Sequence, residues 1–299
     1  MKSLLLAAAF GAAALACPVA GAADGKLLLT GGVTTIDGAA GGGLTPWALI
    51  GTYAAGDQWG VSGTLTRAET GDYGLTVAGV AVAWDDRLEL SIARQDFDVR
   101  DNLAPLGLTD LRLKLDVVGL KWRVAGNAVL DTDTWMPQVA IGLLHKRVDA
   151  GALGSTLTGP LGADDSGTEL YVSATKLFLA PGILVNATLR ATNANQGGLL
   201  GFGGAESDAV RLQPEVSVAW LVRRDLAIGA EYRVKPDHLN RSVLGTGALK
   251  EDDWADVFVA WAPSKHVSLT AAWVDLGRIA PAVQPRRQTG AYLSAQFAF

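Results

Sequence analysis

Cysteine, histidine, charge and long apolar runs are all scarce in this chain of 299 residues. One cysteine, Cys17, and three histidines, His145, His238 and His266, exclude a disulfide framework and the usual structural zinc cluster. Beyond residue 22 no apolar stretch approaches the roughly 20 residues that cross a bilayer as a helix. Charged residues make up only 18%, yet 49% are hydrophobic and the mean hydropathy is +0.24, which excludes a disordered chain. The apolar residues are abundant but dispersed, together with 36 glycines.

The amino terminus reads as a targeting segment. Lys2 is its basic end, Leu4 to Leu15 its apolar core, and Ala20-Gly21-Ala22 a small-residue cleavage site, so residues 1–22 form a signal peptide and the mature chain begins at Ala23. Cys17 leaves with the signal, which suits export to an oxidising periplasm. The mature chain carries 24 Lys+Arg against 30 Asp+Glu, and this acidic balance excludes nucleic acid as a partner.

What is present is alternation. Val210, Leu212, Pro214, Val216, Val218 and Trp220 alternate with Arg211, Gln213, Glu215 and Ser217, and the pattern recurs along the chain. On this parity Val218 faces lipid and Ser217 a lumen. Fourteen strands are expected, near 27–33, 47–55, 59–69, 73–84, 87–99, 111–124, 135–148, 167–178, 183–194, 208–222, 226–235, 253–262, 267–278 and 289–299. In 111–124 the apolar parity switches from Leu111, Leu113, Leu115 and Val117 to Leu120, Trp122 and Val124, which suggests a bulge near Gly119. Short connections alternate with long ones, the pattern of an all-β transmembrane antiparallel barrel with short periplasmic turns and longer extracellular loops. Twelve strands is the alternative, if residues 23–46, an N-terminal strand and glycine-rich segment, lie inside as a plug and 47–299 form the barrel.

Aromatic side chains gather near the short turns. Tyr53, Trp59, Trp84, Trp122, Trp135, Phe178, Trp220 and Trp261 are expected to form an interface girdle, with Trp47, Tyr73 and Trp254 at the opposite rim. The chain ends in Ala291, Leu293, Ala295, Phe297 and Phe299 on one face. This pattern looks like the carboxy-terminal strand read by the barrel-assembly machinery, with Phe297 and Phe299 as the assembly signal.

The stretch from Thr35 to Ile50, with Gly41-Gly42-Gly43-Leu44-Thr45-Pro46-Trp47 at its centre, resembles the opening segment of a proteobacterial family, the domain-of-unknown-function 3034 group. Asp86-Arg87-Leu88-Glu89-Leu90-Ser91 and Ala93-Arg94-Gln95 resemble the same family. The resemblance implies an outer-membrane location, in contact with lipid and lipopolysaccharide, and brings no catalytic residues.

No motif calls for a cofactor. Gly38 to Gly43 lacks the Gly-Lys-Ser/Thr ending and following helix of a phosphate loop, and reads either as a flexible segment folded into the lumen or over the mouth and restricting it, with Asp37 as its only charge, or equally as an ordinary mobile loop. His145, Ser166 and Asp149 lie around one loop, but no nucleophile motif accompanies them, so no catalytic residue is assigned. Asp164-Asp165 and Glu251-Asp252-Asp253 with Asp256 are acidic groups that would suit divalent cations bridging lipopolysaccharide phosphates, though loop charges are commonly just solvated. The residues expected to line the lumen are Glu89, Arg112, Lys114, Asp116, Glu169, Arg190, Arg211, Glu215, Glu231, Arg233 and Lys235. The function these features suggest is a porin-like channel for small solutes. The alternatives are an uptake channel for hydrophobic compounds, a structural or adhesive barrel without a pore and, less favoured, a barrel hydrolase.

Overall fold

A computed structural model describes residues 26, 28–29, 31–129 and 134–299. The segment expected to be a signal peptide, with Cys17, falls outside the described residues. Twelve antiparallel strands close into one barrel. They are β1 (Trp59–Thr70), β2 (Gly74–Trp84), β3 (Leu88–Arg100), β4 (Leu111–Ala125), β5 (Gln138–Asp149) and β6 (Ser166–Phe178), followed by β7 (Ile183–Thr192), β8 (Arg211–Arg223), β9 (Leu226–Arg233), β10 (Trp254–Ser264), β11 (Val267–Asp275) and β12 (Thr289–Ala298). Each strand pairs with its neighbour in sequence, and β12 returns to β1 from Gly290 opposite Thr70 to Ala298 opposite Ser62. Phe299 and Val61 then exchange two backbone hydrogen bonds of 2.8 Å, which closes the seam. Closure leaves no strand edge unpaired along the wall.

The turns explain where strands stop. Asp85 and Asp86 both adopt positive φ, 54° and 47°, the backbone of the tight hairpin between β2 and β3. Gly182, at φ 68°, serves the turn between β6 and β7. Apart from the longer stretch between β4 and β5, the connections at this turn end of the barrel are short. The long connections 101–110, 150–165, 193–210, 234–253 and 276–288 gather at the other, the loop end, and fold inward over the mouth.

Fourteen strands is therefore too many by two. Residues 27–33, where described, and 47–55 join no barrel strand; the chain from 33 to 50 is buried without interruption inside the barrel. It holds only a two-residue ladder, Val33–Thr34 with Ala40–Gly41, because glycines and Pro46 cannot sustain a longer one. No bulge occurs at Gly119 either. Pairing of β4 with β3 is regular from Arg112 to Trp122, with register shifts only beyond, at Asp98/Arg100 and Arg123/Ala125.

The outer wall carries an apolar belt: Leu65, Leu90, Ile92, Leu120, Leu143, Val172, Val218, Val257 and Leu293 all point away from the lumen and are exposed. Trp59, Trp84, Trp122, Trp135, Trp220, Trp261 and Phe178 lie on the same surface toward the turn end, with Trp59 and Trp84 rings 6.1 Å apart and Trp135 edge-on to Phe178 at 6.2 Å. A closed barrel with this exterior is a membrane-spanning one. No described helix is long and apolar enough to cross a bilayer, which says nothing about strands. Tyr53 departs from the expected girdle, since it sits half-buried in the segment leading from the lumen to β1. Trp47, Tyr73 and Trp254 are buried and face inward, so they form no opposite rim. Trp273 and Tyr232 are the exposed aromatics toward the loop end.

Candidate functional site: a plugged lumen

The lumen is occupied by the chain's own residues 33–54, and its wall side chains bond chiefly to the backbone of that plug. Glu89 accepts from the amides of Ala40 (2.9 Å) and Gly51 (2.6 Å), while Lys121 donates to the carbonyls of Ala40 (2.7 Å) and Leu49 (2.9 Å). Ser173 and Thr188 donate to the carbonyl of Pro46, Gln138 to that of Ala48, and Gln95 to that of Ile36. Such bonds satisfy a backbone that forms almost no ladder of its own, the condition for burying an irregular segment. Glycine is required both where the plug meets the wall and where it folds on itself: a Cβ on Gly42 would lie 2.2 Å from Glu231 Oε1 of the wall, and one on Gly41 2.1 Å from the Thr45 carbonyl of the plug. The glycine segment is thus a close-packed filling rather than a slack loop.

Near the loop ends of β5, β7 and β9 Asp37 of the plug meets three wall cations: Lys146 at 2.8 Å, Arg233 at 3.3 Å and Arg190 at 3.5 Å. Glu169 and Glu215 complete the set, Glu169 at 2.8 Å from Lys146 and 2.9 Å from Arg190, and Glu215 at 2.6 Å from Arg190. Three cations balance three carboxylates, and all are buried. Pairs of this kind hold geometry more than they add stability, yet removing one partner leaves a buried charge alone.

Glu89, Glu169, Arg190, Glu215, Glu231, Arg233 and Lys235 point inward and are buried. Arg211 has inward parity but lies exposed beyond the loop-end rim. Arg112, Lys114 and Asp116 do not line the lumen; they are on the outer wall, where Arg112 pairs with Asp96 (3.0 Å) and Asp98 (3.2 Å) and Asp116 with Arg94 (2.5 Å). Alternation in β4 never breaks. What changes is the surroundings: toward the loop end Leu111, Leu113, Leu115 and Val117 face a buried apolar core and the charges face out, whereas toward the turn end Lys121 faces in and Val118, Leu120 and Trp122 face out. Lys121, Lys146 and Asp256 are lumen residues that the sequence reading missed. The outward girdle residue Trp122 carried the signal, because unbroken alternation from it places Lys121 inside and Lys114 outside.

Above the plug, loops and wall enclose an apolar cavity of about 50 Å³. Ile36 and Leu44 of the plug form its floor, Phe97, Leu113 and Trp254 line its walls, and Leu199 and Ile279 of the loops cover it. Gln196 ties the cover together, its side chain donating to the Ile279 carbonyl and its amide to Glu251.

The loop acids disperse. Glu251 turns inward to Lys235 (3.0 Å), Asp252 takes Arg278 (2.8 Å), Asp253 binds the Tyr232 hydroxyl, and Asp165 faces Arg147 at 3.5 Å. The Arg278 guanidinium holds the Asp252 carboxyl down at about 2. Among the described residues no three acidic, histidine or cysteine side chains are grouped to hold a metal. His145 is exposed on the outer wall and bonds Thr168 at 3.0 Å, while Ser166 is paired with Arg147 and Asp149 accepts from Gly151, so these three form no catalytic array.

Among solved structures the barrel is similar to the NanC porin, with a TM-score of 0.50 at 8% identity over 79% of this chain and 98% of that one. It is similar also to the KdgM porin, with a TM-score of 0.49 at 10% identity over 80% and 99%, and to outer membrane phospholipase A from Escherichia coli, with 0.44 at 10% over 85% and 93%. At such identities the likeness concerns the fold. No curated protein matches the sequence. A family model described as protein of unknown function (DUF3034) matches residues 30–296, nearly the whole chain, and the protein belongs to that family.

Proposed function

We propose that this protein is an outer-membrane uptake channel for small apolar compounds, held closed at rest by its amino-terminal segment. The observation that carries this reading is the apolar chamber of about 50 Å³ between the plug and the loops. A pore for polar solutes presents a polar, hydrated wall from end to end. Here the polar wall is covered by the plug, and the chamber on its loop-end side is lined mainly by apolar side chains. An apolar solute entering from outside meets Ile36 and Leu44 as a floor, and passage requires the plug to shift. Plug and wall are joined mainly through hydrogen bonds and ion pairs, which water can replace as the segment moves. The short turns then lie in the periplasm and the long loops outside.

The reading of a structural barrel without a pore is favoured by the balanced ionic cluster around Asp37. Uptake of N-phenyl-1-naphthylamine by intact cells, with and without the protein, separates the possibilities when run beside liposome swelling in small sugars. Apolar uptake requires faster dye entry and no swelling. Swelling alone points to a polar porin, and no change in either to a structural barrel.

A further inference from the structure

The charges of the lumen balance almost completely, and the exception is informative. Lys146, Arg190 and Arg233 answer Asp37, Glu169 and Glu215. Lys121 answers Glu89 at 3.3 Å, and Lys235 answers Glu251 at 3.0 Å. Glu231 and Asp256 remain, 3% and 4% exposed, and among the described residues neither forms an ion pair. They are directly paired positions on β9 and β10, both facing inward, which sets their Cβ atoms roughly 5 Å apart.

The two carboxyls are not equivalent. Glu231 accepts from the Leu44 amide of the plug at 2.7 Å, from the Thr45 hydroxyl at 2.5 Å and from Ser217 at 2.8 Å, the donor set that suits an anion. Asp256 Oδ1 is buried with no hydrogen-bond partner at all. The Tyr292 hydroxyl, also buried and unpartnered, reaches the same place: a Cβ on Gly43 would lie 3.4 Å from Glu231 Oε2 and 3.7 Å from that hydroxyl. Around the pair, β8 contributes Ser217 and Glu215, the plug contributes Thr45 and Asp37, β12 contributes Tyr292 and Ser294, and β9 itself contributes Arg233. Arg233 is already engaged by Asp37, Glu215 and the Leu44 carbonyl. Two neighbouring buried carboxylates without a cation do not both ionise.

We propose that Glu231 and Asp256 form a proton-binding site, one proton being held on Asp256 and directed to Glu231, and that this proton keeps the plug docked. Loss of it sets two negative charges side by side against the segment Gly42-Gly43-Leu44, and the plug leaves the wall as water enters. The site itself stands apart from the channel reading; its effect on permeability rests on that reading.

Infrared difference spectra of the full-length mature protein in lipid nanodiscs test the site. The wild type at neutral pH is expected to show a protonated-carboxyl stretch that shifts in D2O and is lost in Asp256→Asn. No such band, a band retained in Asp256→Asn, or a band that sodium chloride abolishes while choline chloride does not, overturns the proposal. Bilayer recordings test the coupling: the open-to-closed ratio of the wild type is expected to rise about tenfold per pH unit on the alkaline side, as loss of one proton requires, and to be independent of pH in Asp256→Asn. Openings with no pH dependence contradict the coupling. A band without any openings leaves the proton site standing and removes the channel.

Discussion

The two halves of β4 obey opposite rules. Toward the turn end Lys121 is inside and Leu120 and Trp122 outside; toward the loop end Leu113 and Leu115 are inside and Lys114 and Asp116 outside. Strand height accounts for the inversion. At roughly 3.3 Å per residue and a tilt near 40°, the 15 residues of β4 rise well above an apolar band about 25 Å tall, whereas the 8 residues of β9 do not. Where the wall stands in the bilayer, lipid takes the apolar side chains. Above it the wall becomes that of a water-soluble barrel, with a hydrophobic core and a charged coat. An amphipathic strand states its period, therefore, but not which face is the lumen.

The largest effect is expected inside the upper half: Leu115, fully buried, changed to Asp places a charge in the apolar core and should prevent recovery of a heat-modifiable barrel, while Leu115→Ala should cost about 2–5 kcal/mol in urea unfolding. Lys114→Leu, one residue away on the outer wall, should fold normally. Equal damage from positions 114 and 115 would refute the inversion.

Buried and exposed ion pairs should differ in the same way. Lys146→Met leaves three buried carboxylates, Asp37, Glu169 and Glu215, to share two guanidiniums and should destabilise by about 3–5 kcal/mol. Breaking the exposed pair with Arg94→Ala should cost at most about 1 kcal/mol.

In the membrane half, Leu120→Arg on the lipid side should cost about 2–4 kcal/mol in folding into liposomes. Ser217→Arg is not the harmless control that a hydrated lumen would make it. Ser217 is 1% exposed and bonded to Thr45, Trp47 and Glu231, so an arginine there must expel the plug. Normal folding with a closed lumen in that variant would contradict the packing described.

The smallest effect concerns the loop cover. Since Asp252 is held at about 2, below its ordinary 3.8, its bond to Arg278 adds stability above pH 3.8 that is lost as pH falls toward 2. Arg278 is partly exposed, so the loss should stay below about 1 kcal/mol. Comparing Asp252→Asn with wild type across that window checks the sign.

Much of this was legible in the residues. The twelve barrel strands fall where alternation and turn residues place them, and the terminal strand from Thr289 to Ala298 shows its outward face in Leu293 and Phe297. The error over 47–55 has a physical source: Trp47, Leu49 and Gly51 mimic strand alternation, but their backbone is satisfied by Glu89, Lys121 and Gln138 from the wall instead of by a neighbouring strand. Sequence periodicity carries no trace of such partners. The charges of β4 were misplaced for a related reason, since Arg112 and Asp116 look like lumen residues only if every apolar face is assumed to meet lipid. Lys146 was not placed in the lumen because its burial depends on Asp37, more than a hundred residues away, and Asp256 was grouped with the loop acids although alternation from the outward Val257 and Val259 puts it inside.

The gate of the proposed channel is the plug itself. Ala48 of the plug donates its amide to Thr175 Oγ1 of β6 at 2.8 Å, a contact between plug and wall at which a cysteine pair can be introduced. Single-channel conductance of the mature Ala48→Cys/Thr175→Cys protein in planar bilayers tests the gate. Silence when oxidised and openings after reduction are the predicted result, and the same conductance in both states would contradict it.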